Sequence, residues 1–233
     1  MINKISLALL ASAAAILWLG AYTDVDFALA RLMYDLPSHS FPWRHSFFAE
    51  VLSHNVLRAL MLVLAVLVAA PMAYDAWKPY AGLSDWWRER LRVVALSAVL
   101  VPLAVNLLKH LSASHCPWDL VDFGGAEHYV RLLQAAIGSA PAGHCMPAGH
   151  ATSVLWLLSV VVFWLPHRPR TALTVGAGML AAGFAVGWVQ QMRGAHFLTH
   201  TLWSMWIASA IVSGLYGRMQ RQHQAQEAEA VLT

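Results

Sequence analysis

The segments MPAGHATS (Met146–Ser153) and RGAHFLTH (Arg193–His200) decide the fold, because each joins a polar stretch to an apolar run. In the first segment Gly149 and His150 stand at the turn into the run, and in the second His196 stands just before it. If both runs cross a membrane, their ends lie at similar depth on one side of it. The pattern therefore predicts a site assembled from the ends of membrane helices.

The composition supports a membrane protein. Of the 233 residues, 59% are hydrophobic, only 12% are charged, and 11 are Trp. The apolar residues come in blocks of roughly 16–20, which is the length that crosses the hydrocarbon layer. The net charge of +3 is spread over short tracts between these blocks, which argues against a nucleic-acid partner. No protein partner is indicated either, so the expected partners are membrane lipids and a lipid substrate.

The hydropathy pattern predicts an all-α, polytopic membrane protein with six transmembrane helices. The expected spans are 5–22, 56–74, 93–108, 151–165, 171–189 and 197–216. An interfacial amphipathic segment is expected at 23–54 and a polar motif loop at 109–147. Together these form one domain over 1–217, and a polar cytoplasmic tail follows at 218–233.

The distribution of basic residues predicts the orientation. Lys and Arg are concentrated in the short loops on one side, including four in the connection between the second and third spans. By the positive-inside rule that side is cytoplasmic. Both termini then lie in the cytoplasm, and the motif loop faces the periplasm from the inner membrane.

Several side chains at the shared face suit a phosphate ligand. The backbone N–H groups of Ala148, Gly149 and His150 open a span, and free N–H groups at a helix start bind anions. Lys109 ends the third span and supplies a point charge. Arg193 adds a planar guanidinium that matches phosphate oxygens.

The two histidines at these ends suit phosphoryl transfer. A neutral His196 facing phosphorus is a competent nucleophile that would form a phosphohistidine. A protonated His150 is a competent general acid for the leaving oxygen. The other histidines, His54 among them, are expected to be solvated or interfacial, except His200.

Three segments resemble the motifs of the type-2 phosphatidic acid phosphatase family. They are KHLSASHCP from Lys109, MPAGH ending at His150, and QQMRGAHFLTH ending at His200. The family patterns are Lys, six residues, Arg-Pro; then Pro-Ser-Gly-His; then Ser-Arg, five residues, His, three residues, Asp. The resemblance implies six helices, a nucleophile at His196, a general acid at His150, and no metal or other cofactor.

The chain departs from the family pattern at four positions. Cys116 and Gln190 stand where the family has arginines. Ala148 replaces a serine, although its backbone N–H is expected to remain available to phosphate. His200 replaces the aspartate that orients the nucleophile, and we expect it either to accept a hydrogen bond from the His196 ring or to bond a neighbouring helix. Arg193, one turn away from Gln190, is expected to replace a missing arginine.

Cys116 and Cys145 are expected to form a disulfide. Cys116 lies seven residues after Lys109, and Cys145 lies five before His150. If Lys109 and His150 converge on one phosphate, the loop brings the two cysteines together. Both would lie in an oxidising compartment, where paired thiols normally close.

The leading hypothesis is an integral membrane phosphatase that acts at the periplasmic face. Its expected substrates are polyprenyl pyrophosphate, phosphatidylglycerol phosphate, phosphatidic acid or lipid A phosphates. A lipid phosphotransferase with the same site is the near alternative. A metal-handling membrane protein is the alternative from another class, since His196 and His200 stand at helical spacing. A thiol oxidoreductase would need a CxxC pair, which the sequence lacks.

Overall fold

The chain is all-helical in the computed structural model, which describes residues 2–134 and 142–232. Residues 135–141 of the expected motif loop lie outside the described residues. The helices are α1 (Ile2–Tyr22), α2 (Val25–Met33), α3 (Leu57–Trp77), α4 (Asp85–His110), α5 (Gly149–Leu155), α6 (Pro169–Met192) and α7 (Leu198–Leu232). A π-helical segment, Phe47–Val56, leads into α3, and a 3₁₀ segment, Trp156–Phe163, continues α5. Within residues 2–134 and 142–232, β-pairing is limited to two isolated bridges, which join Asp35 to Ser40 and Leu120 to Glu127.

Four helices are long and apolar enough to cross a membrane. They are Lys4–Tyr22, Phe47–Trp77, Asp85–His110 and Pro169–Met192. Only 11% of the apolar window in the first and 6% of that in the second is buried inside the protein. Large apolar side chains such as Leu7 (69% exposed) and Leu62 (64% exposed) lie on their outer faces. An apolar exterior of this kind is typical of helices surrounded by lipid.

The other two expected spans differ from these four. Gly149–Phe163 is a shorter apolar helix. α7 is 35 residues long, but it carries polar side chains at its start and a polar stretch at its end. The total of six spans therefore stays a prediction.

The second membrane helix begins earlier than the sequence predicted. It starts at Phe47 rather than near residue 56, so the last part of the expected interfacial segment is helical and continuous with α3. The Ser46 hydroxyl accepts a hydrogen bond from the Ala49 N–H at 3.2 Å and caps this start. Phe47 and Phe48 then extend the apolar run toward the N-terminus. Of the remainder, only Val25–Met33 forms a further α-helix.

Two apolar clusters position the ends of the helices. The larger one packs α4, α5 with its 3₁₀ continuation, and α7 around fully buried side chains such as Val101, Leu155 and Val162. The smaller one lies at the other end and joins α2 and the motif loop to the start of α7. Its aromatic members are Tyr34, Phe41, Phe123 and Phe197. This second cluster holds the loops over the helix ends where the motif residues lie.

The polar tail continues α7 without a break. The helix runs to Leu232, and the His223 ring forms an ion pair with Glu89 of α4. The tail is therefore tied to the end of the bundle opposite the motif residues.

Candidate active site

The motif loop folds back along the segment that precedes α5. His144 N–H donates to the Ser112 carbonyl at 3.0 Å, and Cys145 N–H donates to the Ser114 carbonyl at 2.9 Å. Cys116 and Cys145 are joined through their sulfur atoms, with their Cα atoms 5.3 Å apart. The end of α4, which carries Lys109, is thereby held against the start of α5.

The start of α5 is anchored to α7. Ala148 N–H donates to the His200 carbonyl at 3.0 Å, and the Ser204 hydroxyl donates to the Ala148 carbonyl at 2.9 Å. The structure thus differs from the expectation that the Ala148 N–H remains available to phosphate, because α7 already uses it. The space beside the Gly149 Cα is open, since a Cβ added there would meet no heavy atom within 4 Å.

Arg193 is held rigidly at the C-terminal end of α6. Its Nε donates to the Arg44 carbonyl at 3.1 Å, and a terminal nitrogen donates to Gln190 Oε1 at 3.0 Å. The side chain is buried, and this burial lowers the pKa of the guanidinium while Glu50 opposes the shift. The remaining terminal nitrogen is left for a ligand.

The junction between α6 and α7 places His196. Gly194 adopts a positive φ of 74°, and its carbonyl accepts a hydrogen bond from Trp118 N–H at 3.0 Å. His196 follows with only 3% of its surface exposed. Burial lowers the pKa of His196 well below its ordinary value, and the neighbouring His200 adds to the shift. The ring is therefore neutral at neutral pH.

Four imidazole rings form a row through the site. Ring centroids lie 4.2 Å apart for His54 and His150, 5.9 Å for His150 and His196, and 5.8 Å for His196 and His200. The row brings together side chains from the π-helical segment, α5, the α6–α7 junction and α7. Both predicted catalytic histidines are neighbours in it.

His200 does not make the hydrogen bond expected of it. Its Nε2 pairs with the Ser114 hydroxyl at 3.1 Å, and among the described residues its Nδ1 has no partner. His196 Nδ1 instead lies 3.5 Å from Cys145 Sγ. The two rings are neighbours, with centroids 5.8 Å apart, but the Ser114 hydroxyl takes the His200 nitrogen Nε2.

The wall opposite α5 contains residues that the sequence interpretation missed. His54 contacts His150 instead of facing solvent, and Arg58 interacts electrostatically with both His150 and Lys109. The sequence contained one indication of this wall. His54 and Arg58 stand four residues apart near the start of a span, a spacing that places two side chains on the same face of a helix.

A cavity of about 850 Å³ opens at the His200 end of the row. Its walls come from α1, α7 and the motif loop and include Leu17, Trp203, Trp206 and His200. Lys109, His150, Arg193 and His196 are not among the described residues that line it. This cavity is mostly apolar and lies beside the row rather than between the two predicted catalytic rings.

A family model described as the PAP2 superfamily matches residues 90–224. The chain belongs to the PAP2 superfamily. The match runs from α4 into α7 and includes Lys109, His150 and His196. No curated protein and no solved structure matches the chain.

Membership in the PAP2 superfamily implies phosphatase activity on phosphate esters, often those of lipids. This PAP2 protein is therefore an enzyme, and its apolar helices make it a membrane protein. The matched region does not reach the π-helical segment, so His54 and Arg58 lie outside the residues that the family model matches.

Proposed function

We propose that this PAP2 protein removes phosphate from a lipid phosphate, with His196 as the nucleophile and His150 as the general acid. The observation that carries the proposal is the 5.9 Å separation of these two rings. Lys109 interacts electrostatically with both of them. A phosphate group held by Lys109 thus lies within reach of a nucleophile and an acid at once.

The surroundings of His196 support attack through Nε2. Nδ1 faces the sulfur of Cys145, so Nε2 is the nitrogen free to approach phosphorus. A bound phosphate dianion favours the protonated form of His150, which then delivers its proton to the leaving oxygen as the phosphorus–oxygen bond breaks. Water then attacks the phosphohistidine, and His150 takes the water proton, so that neutral His196 and inorganic phosphate are released.

Three groups are proposed to bind the phosphate oxygens. They are the Lys109 ammonium, the free terminal nitrogen of Arg193 and the Gly149 N–H. Among residues 2–134 and 142–232, no carboxylate forms an ion pair with Lys109 or Arg193. Glu50 interacts electrostatically with Arg193, whereas Lys109 has no such acidic neighbour and is the cation best suited to an anionic ligand.

The donor set does not favour the metal-handling alternative. The described group with metal-like spacing is Cys116, Cys145 and His196. Both sulfur atoms are bonded to each other, so they lack the thiolate form that binds zinc or copper. Lys109 near His196 would also repel a cation.

The proposed setting is the inner membrane, with six spans and the site at the periplasmic face. In this arrangement α5 with its 3₁₀ continuation and the first part of α7 supply the two spans beyond the four long apolar helices. Basic residues in the short loops favour cytoplasmic termini. The substrates are then lipid phosphates whose headgroups reach the outer leaflet.

Phosphate release by the purified protein in detergent tests the proposal. Phosphatidic acid, phosphatidylglycerol phosphate and a polyprenyl diphosphate are each supplied, with and without a chelator. We expect chelator-resistant phosphate release from at least one lipid and its loss in His196→Ala. An acid-labile phosphoryl label trapped on the wild type and absent from His196→Ala identifies the intermediate. Zinc-dependent activity, or activity retained by His196→Ala, would contradict the mechanism.

A further inference from the structure

The π-helical segment Phe47–Val56 forms a wall of the site that belongs to none of the sequence motifs. Segments of π-helix are rare and frequently occur at functional sites. This one continues into α3 at Leu57 and brings the His54 ring against that of His150. Arg58, an exposed residue one turn further along, interacts electrostatically with His150. Both side chains precede the region matched by the family model.

His54 is oriented with one nitrogen free. Its Nδ1 is bonded to Asn55 Oδ1 at 2.8 Å. Because that oxygen only accepts, Nδ1 carries the proton and Nε2 is left to meet a ligand. The His54 ring lies 4.2 Å from that of His150, and it makes no ring contact with His196 among the described residues.

Arg58 is a cation without an acidic partner in the described parts of the chain. Its electrostatic neighbours include His150 and Lys109. The neighbours of His196 are instead His200, His150 and Lys109. The His54 ring contacts that of His150 and lies on the His150 side of the row, and Arg58 follows it by four residues in the same helix.

The position of His54 and Arg58 indicates which kind of leaving group this side of the site would bind. In the proposed function, His150 protonates the oxygen that departs from phosphorus, so side chains beyond His150 face the departing group. A lipid alcohol carries no charge for Arg58 to bind. A phosphate does, and a guanidinium binds phosphate through paired hydrogen bonds.

We propose that His54 and Arg58 form a second anion subsite that holds the leaving phosphate of a lipid diphosphate. This inference rests on the proposed function and names its substrate class. His196 Nε2 attacks the terminal phosphorus, and the bond from that phosphorus to the bridging oxygen breaks. The electron pair stays on the bridging oxygen, which receives the proton of His150, and the lipid monophosphate leaves. Water then releases inorganic phosphate from His196.

The experiment compares farnesyl diphosphate with farnesyl monophosphate, which share a tail and differ by one phosphate. The full chain is purified in detergent, and kcat/KM for phosphate release is measured for wild type, Arg58→Gln and His54→Gln. Each variant should lose at least about tenfold on the diphosphate and less than about threefold on the monophosphate, because one phosphate contact is removed. Arg58→Lys should keep part of the diphosphate rate, since it keeps the charge.

Arg31→Gln is the matched control, because Arg31 is an exposed arginine on α2. Arg31→Gln should change kcat/KM for neither the diphosphate nor the monophosphate. Methylenediphosphonate and methylphosphonate, as inhibitors of the wild type, supply a readout that needs no variant. If two subsites bind methylenediphosphonate, it should inhibit at a concentration at least about tenfold lower than methylphosphonate does.

The remaining outcomes decide against the inference. Equal losses on both substrates, no loss, a larger loss on the monophosphate, or equal inhibition by the two phosphonates would overturn the second subsite. Wild type that acts on the monophosphate alone would overturn it and leave the proposed function standing. Wild type that releases phosphate from neither ester, nor from the lipids named above, would overturn both.

Discussion

His196 and His150 are neighbours with different proposed tasks, so their variants should respond differently to the leaving group. His196→Ala removes the nucleophile, and we expect a loss of at least about a thousandfold on every substrate. His150→Ala removes the acid, so aryl phosphates, whose leaving groups need little protonation, should retain more rate than lipid phosphates. Turnover of p-nitrophenyl phosphate and of a lipid phosphate measures the contrast. More than a tenth of the wild-type rate in both variants would contradict the mechanism.

Arg193 is the second residue whose task can be tested separately. Arg193→Ala should lower phosphate release nearly as much as the histidine changes, because Cys116 and Gln190 occupy the family's arginine positions. Gln190 contacts the Arg193 guanidinium, so an arginine at position 190 can reach the same region once Arg193 is truncated. Gln190→Arg in the Arg193→Ala background should restore part of the rate. Full activity of Arg193→Ala alone would show that the guanidinium only fastens the loop at Arg44.

At the scale of elements, the α6–α7 junction depends on Gly194. The residue has a positive φ, and a Cβ added there would lie 2.4 Å from a carbon of the Phe41 ring. Gly194→Ala therefore combines backbone strain with a clash in the aromatic cluster, and we expect a loss of about 1–3 kcal/mol in stability.

Thermal unfolding in detergent measures the effect of Gly194→Ala. Gly178→Ala is the matched control, since a Cβ added at Gly178 in α6 meets nothing within 4 Å. That change should leave the midpoint unchanged or raise it, because alanine favours helix over glycine. Equal midpoints for the two variants would show that the junction tolerates a side chain.

For the molecule as a whole, the Cys116–Cys145 pair links the end of α4 to the start of α5. The bond closes a loop with a sequence separation of 29. Such a loop stabilises the fold by roughly 3.5 kcal/mol in the chain-entropy treatment. We expect no free thiols in denatured, unreduced protein and two after reduction. Cys116→Ser with Cys145→Ser should lower the thermal midpoint and the activity together, because Cys145 also contacts His196. Two reactive thiols without reductant would contradict the pairing.

Hydropathy and motif spacing were enough to predict the broad architecture. An apolar run must be helical in lipid, since helix formation satisfies its backbone hydrogen bonds internally. That rule depends only on local sequence, and each of the four long apolar helices contains one of the predicted spans. The start of the second helix was mispredicted because its cap, Ser46, lies among aromatic residues that also suit an interface.

The sequence by itself determined the family, through Lys109, His150 and His196 in register, and the presence of apolar helices, through their length. Only the tertiary structure decided which groups are free. The Ala148 N–H is used by the His200 carbonyl, and His200 Nε2 pairs with Ser114 rather than with His196. His54 meets His150 although the two residues stand 96 positions apart in the sequence, at 54 and 150. Such contacts depend on how helices pack in three dimensions, and each hydrogen-bonding group takes whichever partner that packing brings within reach.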